Sequence, residues 1–201
     1  MSSDFTIFLI DDDPAVLKSL NRLLQAAGYE TQAYLSAETF LSEHDPSTPG
    51  CAVLDLAMSD LNGLHVQQAL TRQGNNRPLI FLTGQASIQE SVEAMKAGAV
   101  DFLTKPVDKS ELLRAIKFAE ERDKTQRDNE ARRKVIVERM AKLTPREREA
   151  LKLVTEGLLN KQIAGVMGVT EKTIKVHRGR VFKKMGARNL AELVQMTAEY
   201  L

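Results

Sequence analysis

Between Thr6 and Pro106 five short strand-like runs alternate with four segments of helical spacing, and few folds satisfy that order. Thr6–Ile10 reads as a buried strand. Residues 15–28 then place Leu17, Leu20 and Leu24 on one helical face ahead of Gly28, a residue suited to the position just past a helix end. A strand around 30–34 is followed by a helix behind the N-cap candidate Ser36. "DPSTPG" (45–50) is turn chemistry, and "CAVLDL" (51–56) is a third strand. A helix over 63–72, "PLIFLT" (78–83), a helix over 87–97 stopped by Gly98, and "VDFLT" (100–104) complete the series, which Lys105-Pro106 closes. Strict β/α alternation predicts an α/β doubly wound, five-stranded parallel sheet with helices on both faces.

From Val107 to Thr144 there is neither Gly nor Pro. Leu112, Leu113, Ile116 and Ala119 give the start of this stretch a face that can pack on the sheet. "EERDKTQRDNEARRK" (120–134) has almost nothing apolar, but it orders acids before bases four apart: Glu120/Lys124, Asp123/Arg127, Asp128/Arg132 and Glu130/Lys134. A long solvent-exposed helix is expected, with a disordered charged linker as its rival. The missing apolar seam argues against a coiled coil. Residues 143–201 read as four helices without strands. Thr144, Pro145 and Glu147 form a capping box with proline at the first helical position. Helices over 160–167 and 171–185, separated by a turn with Gly168, have the layout of a helix-turn-helix. The expected domains are 1–120, a helical linker 121–142, and 143–201.

Charge separates the same halves. The net charge of +1 combines nine Lys/Arg against sixteen Asp/Glu over 1–120 with eleven against six over 143–201. An acidic front and a basic back point to modules with different partners. No run approaches the roughly 20 apolar residues of a membrane span, and Met1-Ser2-Ser3-Asp4 lacks a signal-peptide layout. The single cysteine, Cys51, has no metal spacing and reads as a small buried hydrophobe. A cytoplasmic protein without membrane contact is expected.

In open α/β sheets ligands bind beyond the carboxyl ends of the strands. Asp11–Asp13 follow the first strand, Asp55 sits in the third, Thr83 ends the fourth and Lys105 follows the fifth. Taken singly, an aspartate run is a solvated cap and a Lys-Pro is a turn. Recurring in register with the βα repeat, they make an acidic pocket floor with one hydroxyl and one ammonium. Clustered carboxylates select a hard cation such as Mg²⁺ (or Mn²⁺), which bridges to phosphate oxygens. The hydroxyl and the ammonium suit the remaining oxygens of a phosphoryl group.

"LIDDDP", "LDLAMSDLNGL", "FLTG" and "GAVDFLTKP" resemble the receiver domain of two-component response regulators, over about residues 4–120. The resemblance implies a flavodoxin-like fold and a phosphoacceptor at Asp55, supplied by a sensor histidine kinase or a small phosphodonor. It implies Asp12 as direct Mg²⁺ ligand, Asp11 as its outer acidic partner and the Ala57 carbonyl as completing the site. Thr83 matches the switch hydroxyl, Phe102 the aromatic behind it, and Lys105 the phosphate-contacting lysine, with Lys105-Pro106 usually cis. Asp13 matches no catalytic position and reads as a solvated extra charge. The usual Met-Pro after the acceptor is Met58-Ser59 here, and Ala57 and Gln85 occupy positions that tune access of water to the acyl phosphate.

In the basic end, Ile174, Val181 and Met185 form an inward stripe, surrounded by Lys172, Lys175, His177, Arg178, Arg180, Lys183 and Lys184. Such a helix can lie in a major groove, with cations on phosphates. "LTPREREAL…NKQIAGVMGVTEKTIKVHRGRVFKKMGA" resembles the four-helix DNA-binding domain of the LuxR type. By resemblance Lys175 and Val176 face the bases of double-stranded promoter DNA, with Lys172, Thr173, Arg178 and Lys183 as backbone contacts. His177 is either a phosphate contact or merely exposed. Gly179 stands where the family often has a basic residue. Together the two halves are similar to the NarL/FixJ family of transcriptional response regulators, nearer the FixJ branch.

Two other classes fit parts of the pattern. Haloacid-dehalogenase-like phosphohydrolases also combine Asp, Thr and Lys at strand ends, but they need a late acidic pair that does not follow Lys105, and they leave Asp55 unexplained. The other is a protein-binding adaptor, in which 143–201 is a small helical bundle whose tail contacts another protein. The family reading predicts no enzyme beyond self-phosphotransfer and autodephosphorylation at Asp55. It predicts a homodimer on phosphorylation, formed through the surface around 84–106, and two tail domains on half-sites about 34–36 Å apart.

Overall fold

The computed structural model describes residues 5–58, 62–84 and 88–200, with backbone alone for 88–91. Readings that fall on Ser59 and Gln85 therefore lie outside the described residues. The first unit runs β1 (Thr6–Ile10), α1 (Pro14–Ala26), β2 (Glu30–Tyr34), α2 (Ala37–Glu43), β3 (Gly50–Asp55), α3 (Gly63–Arg72), β4 (Leu79–Thr83), α4 (Ile88–Lys96) and β5 (Asp101–Thr104). The helix α5 (Lys109–Ala141) follows without interruption, which decides for a helix over a disordered linker. The strands pair in parallel in the order β2-β1-β3-β4-β5.

The central strands are buried on both faces because both faces of their pleat are apolar. Ile7, Leu9, Cys51, Val53, Ile80 and Leu82 face one way, against Leu17, Leu20 and Leu24 of α1 and Leu112 and Ile116 of α5. Phe8, Ile10, Ala52, Leu54 and Phe81 face the other way, against Phe40 of α2, Val66 and Leu70 of α3 and Ala94 of α4. Each large side chain so buried contributes roughly 1.5–3 kcal/mol. Cys51 is wholly buried and free, and burial pushes its thiol pKa up, so it packs as an inert hydrophobe.

Backbone contact at the lower strand ends is close. A Cβ on Gly50 would stand 2.1 Å from the Thr6 carbonyl and 2.9 Å from the Phe8 ring, so only glycine lets β3 start beside β1. Arg77, 6 % exposed, lies over Phe8 with its guanidinium carbon 4.1 Å from the ring centroid. One Nη donates to the Asp45 carbonyl at 2.9 Å, and desolvation lowers its pKa to about 10.

The exposed-helix expectation holds at residues 121, 122, 124 and 125 but needs correction at Asp123 and, in part, at Arg127. Asp123 is buried and pairs with Arg127 at 2.8 Å. Arg127 donates to the carbonyls of Ser47 and Thr48 at 2.7 and 2.8 Å. These carbonyls belong to the "DPST" turn, which lacks strand partners and takes its donors from the helix. The first compact unit accordingly extends to Arg127, and the second spans Asp128–Leu201.

The second unit contains the last turns of α5 with α6 (Pro145–Thr155), α7 (Asn160–Met167), α8 (Glu171–Met185) and α9 (Leu190–Thr197). The expected capping box at Thr144 and Glu147 is present. Gly168 and Gly186 end α7 and α8 in the left-handed conformation that glycine adopts without strain. Ile174, Val181 and Met185 are fully buried, together with Leu151, Val154, Ile163 and Leu193.

Candidate functional site

The strand order reverses at β1 and β3, the place where open α/β sheets bind ligands beyond the carboxyl ends of their strands. Asp11 follows β1 and bonds through its N–H to the Tyr34 carbonyl at 3.2 Å, continuing the pairing with β2. Asp55 is the last residue of β3. The Leu56 N–H is held by the Leu82 carbonyl at 2.8 Å, so the backbone just past Asp55 stays in the sheet. Gly63, behind the N-cap Asn62, lets α3 pass close beneath: a Cβ there would meet Phe81 at 2.9 Å and the Asp55 carbonyl at 3.0 Å.

Asp11 is 1 % exposed and Asp55 8 %, while Asp12 is exposed. One oxygen from each of the three lies within 4.8 Å of the others. The Lys105 ammonium sits between two of them, 2.7 Å from Asp11 Oδ2 and 2.9 Å from Asp55 Oδ2. The Lys105 N–H is bonded to the Thr83 carbonyl at 2.7 Å, and the Lys105-Pro106 bond is cis as the resemblance implied. Burial works against the ammonium, but hydrogen bonds and charge from Asp11 and Asp55 outweigh it and raise its pKa. It therefore stays charged through neutral pH, and its contribution is lost only as pH climbs past the lysine's ordinary 10.5.

Three carboxylates against one ammonium leave a net negative pocket. Oxygen donors at this spacing, two of them buried, fit a hard divalent cation. Ala57 is exposed next to the pocket, and its N–H reaches Asp55 Oδ1 at 3.3 Å. Thr83 is 1 % exposed at the end of β4. Phe102, in register with Phe81 on β5, is half-buried with its ring centroid 6.2 Å from that of Phe81. Pro106 is exposed.

Asp13 differs from its reading as a spare charge. It is exposed, yet it caps α1, accepting the Ala15 N–H at 2.8 Å ahead of Pro14. An aspartate directly before a proline at a helix start is a recognisable capping signal. The pile-up of three aspartates thus divides into one buried charge, one exposed pocket carboxylate and one helix cap.

On α8, Lys172, Lys175, Val176 and Lys183 are exposed, Val176 at 47 % despite being apolar. Thr173 is half-buried, its hydroxyl 2.9 Å from that of the N-cap Thr170. Arg178 is half-buried and donates to Asn160 Oδ1 at 2.9 Å, which ties α8 to the first residue of α7. His177 is half-buried, and its buried Nδ1 has no protein partner among the described residues. Lys184, counted in the sequence among the surrounding cations, turns instead to the buried carboxylate of Glu147 at 2.5 Å. No local signal marks that pair, because its members are 37 residues apart.

Residues 7–117 match the response regulator receiver domain, and residues 141–197 match the bacterial regulatory proteins of the luxR family. Nodulation protein W of Bradyrhizobium diazoefficiens is 41% identical over 98% of this chain and 86% of its own length. The transcriptional regulatory protein FixJ of Azorhizobium caulinodans is 37% identical over 98% of this chain and 93% of its own. The solved structure of the response regulator StyR is 38% identical and superposes with a TM-score of 0.86, covering 98% of this chain and all of StyR. Acidic pocket, helix-turn-helix and similarity along the whole chain agree: the protein belongs to the NarL/FixJ family of transcriptional response regulators, which join a receiver to a LuxR-type DNA-binding domain.

Proposed function

We propose that Asp55 is the phosphoacceptor of this regulator, that a divalent cation, Mg²⁺ or Mn²⁺, is needed for the transfer, and that phosphorylation promotes dimerisation and sequence-specific DNA binding. The observation that carries the reading is the Lys105 ammonium shared between Asp11 and Asp55. One oxygen of Asp55 is bonded to a cation, and the Ala57 N–H approaches the other. Its carboxylate attacks the phosphorus of a phosphohistidine on a sensor kinase or of a small phosphodonor. A P–O bond forms as the bond to the donor breaks, and the donor nitrogen or oxygen leaves with the electron pair. Asp11, Asp12, Asp55 and the Ala57 carbonyl are the residues that would hold the cation. When bound, it neutralises charge between the carboxylates and the incoming phosphoryl oxygens. Lys105 and the Thr83 hydroxyl then serve the remaining oxygens, and Phe102 follows Thr83 inward beside Pro106.

The exposed apolar side chains Val92 and Met95 on α4 support a dimer surface next to this switch. On α8, Lys175 and Val176 read bases, while Lys172, Thr173, His177, Arg178 and Lys183 approach the backbone; His177 and Arg178 must first turn outward. The test is the mass in solution with Mg²⁺, with and without beryllofluoride as phosphoryl mimic. A monomer that becomes a dimer, and fails to do so in Asp55→Ala, is expected. No change of mass despite bound beryllofluoride removes dimerisation as the switch.

A further inference from the structure

The last turn of α5 and the last turn of α8 exchange cations. Arg139 of α5 donates through Nη1 to the Met185 carbonyl at 2.6 Å. Lys184 of α8 donates through Nζ to the Lys142 carbonyl, just past α5, at 3.0 Å. Helix ends leave carbonyls without intrahelical donors and favour positive charge, and here a cation from the last turn of each helix answers a carbonyl at the end of the other. Two further features hold the exchange in place. Gly186 has φ +68°, and a Cβ on it would come within 2.8 Å of Arg139 Nη1 and 3.1 Å of Cζ, so the guanidinium rests on the glycine backbone. Glu147, 2 % exposed, accepts from the Thr144 N–H at 2.9 Å and from Lys184 at 2.5 Å, which fixes the ammonium at the junction of α5, α6 and α8.

We infer that Arg139 and Lys184 are positioning residues for DNA reading: they set the direction of α8 on the last turns of α5 and do not contact DNA. The inference rests on α8 being the reading helix. The residues at its reading end, Lys175 and Val176, lie about ten residues from the clamp, roughly 15 Å at a rise of 1.5 Å per residue. A tilt of about 10° at the clamp therefore displaces them by about 2.6 Å over that lever. Hydrogen bonds to base edges, confined to 2.7–3.2 Å, do not survive such a shift. Contacts to phosphates, which act through charge, survive it far better. Loss of the clamp should thus remove discrimination and leave non-specific binding in place.

The experiment uses the full chain with Mg²⁺ and beryllofluoride and a random-sequence duplex pool from which the wild-type protein enriches its own site. Affinity for the enriched duplex and for the unselected pool is then measured over a salt series. Arg139→Gln and Lys184→Met should lower the ratio of the two affinities by about tenfold with the salt slope unchanged. Arg139→Lys, which keeps one charged donor, should fall between. Gly186→Asn keeps every charge and tolerates the left-handed conformation, but it pushes Arg139 off the Met185 carbonyl. It should show the same loss, and it decides the matter where a charge variant melts near the assay temperature. A fall of about one in the salt slope of Lys184→Met, with both affinities reduced alike, marks a direct phosphate contact and overturns the proposal, as does an unchanged ratio in Gly186→Asn. Should the wild-type protein enrich no sequence at all, the reading of α8 fails, and the clamp's role falls with it.

Discussion

The Lys105 ammonium lies 2.9 Å from a carboxylate oxygen of Asp55, fifty residues earlier in the chain, and 2.7 Å from Asp11. It occupies the charge balance that a divalent cation would otherwise supply. Lys105→Met should therefore bind Mg²⁺ about tenfold more tightly, equivalent to about 1.4 kcal/mol, while the metal-free protein melts earlier because two buried carboxylates lose their counter-charge. Titration calorimetry and melting with and without Mg²⁺ measure both. Weaker binding in the variant would show that lysine and cation cooperate instead of competing.

Two glycines should respond in opposite directions to the same substitution. Gly50→Ala forces a methyl against the Thr6 carbonyl, where backbone must move, and should cost about 3 kcal/mol or more. Gly179→Ala, in the interior of α8 with open space around it, should stabilise the second unit by about 1 kcal/mol. Denaturant midpoints read on each half separate the two; a stabilised Gly50→Ala would mean that β1 and β3 can separate at little cost.

Arg77 is a buried cation without an ion pair among the described residues, held by Phe8 and one carbonyl. Removing both the charge and its desolvation leaves little net change when volume is kept. Arg77→Met should stay within about 1 kcal/mol of wild type, whereas Arg77→Ala, which opens a cavity, should lose about 2–4 kcal/mol. Arg77→Lys, a buried charge without the planar fork, is expected to be less stable than Arg77→Met. The order of the three melting temperatures is the test.

Glu147 links stability to acid pH. Its bond to Lys184, then the Thr144 N–H, holds the carboxyl down at about 2, against an ordinary 4.5. A carboxyl with a depressed pKa contributes fully above its unfolded value and loses the contribution as pH falls through its folded value. The second unit should therefore lose stability between about pH 4.5 and 2 through this group. Glu147→Gln should be less stable at pH 6, with the gap to wild type closing toward pH 2. An equal gap at both ends of the range would assign the effect to packing alone.

Element order, both helix–turn–helix boundaries and the capping box at Thr144 were legible along the chain, because each depends on residues within one or two turns of each other. The pocket was legible for a related reason. Asp11, Asp55, Thr83 and Lys105 recur at one position of the βα unit, and a parallel sheet brings such positions to one edge. The inward stripe of Ile174, Val181 and Met185 followed from spacing alone.

Roles that depend on a distant partner were decided only in three dimensions. Asp123 looked like one more exposed charge, but the unpaired carbonyls of residues 46–48 draw Arg127 inward and Asp123 with it. Arg77 became buried because Gly50 leaves room beside it, its Nη1 lying 3.1 Å from where a Cβ would stand. Lys184 and Arg139 look like any other surface cations until α5, α6 and α8 meet and their unsatisfied termini select them. Periodicity encodes which face is buried. Which charge answers which carbonyl is set by the packing of elements far apart in the chain, and no local pattern carries it.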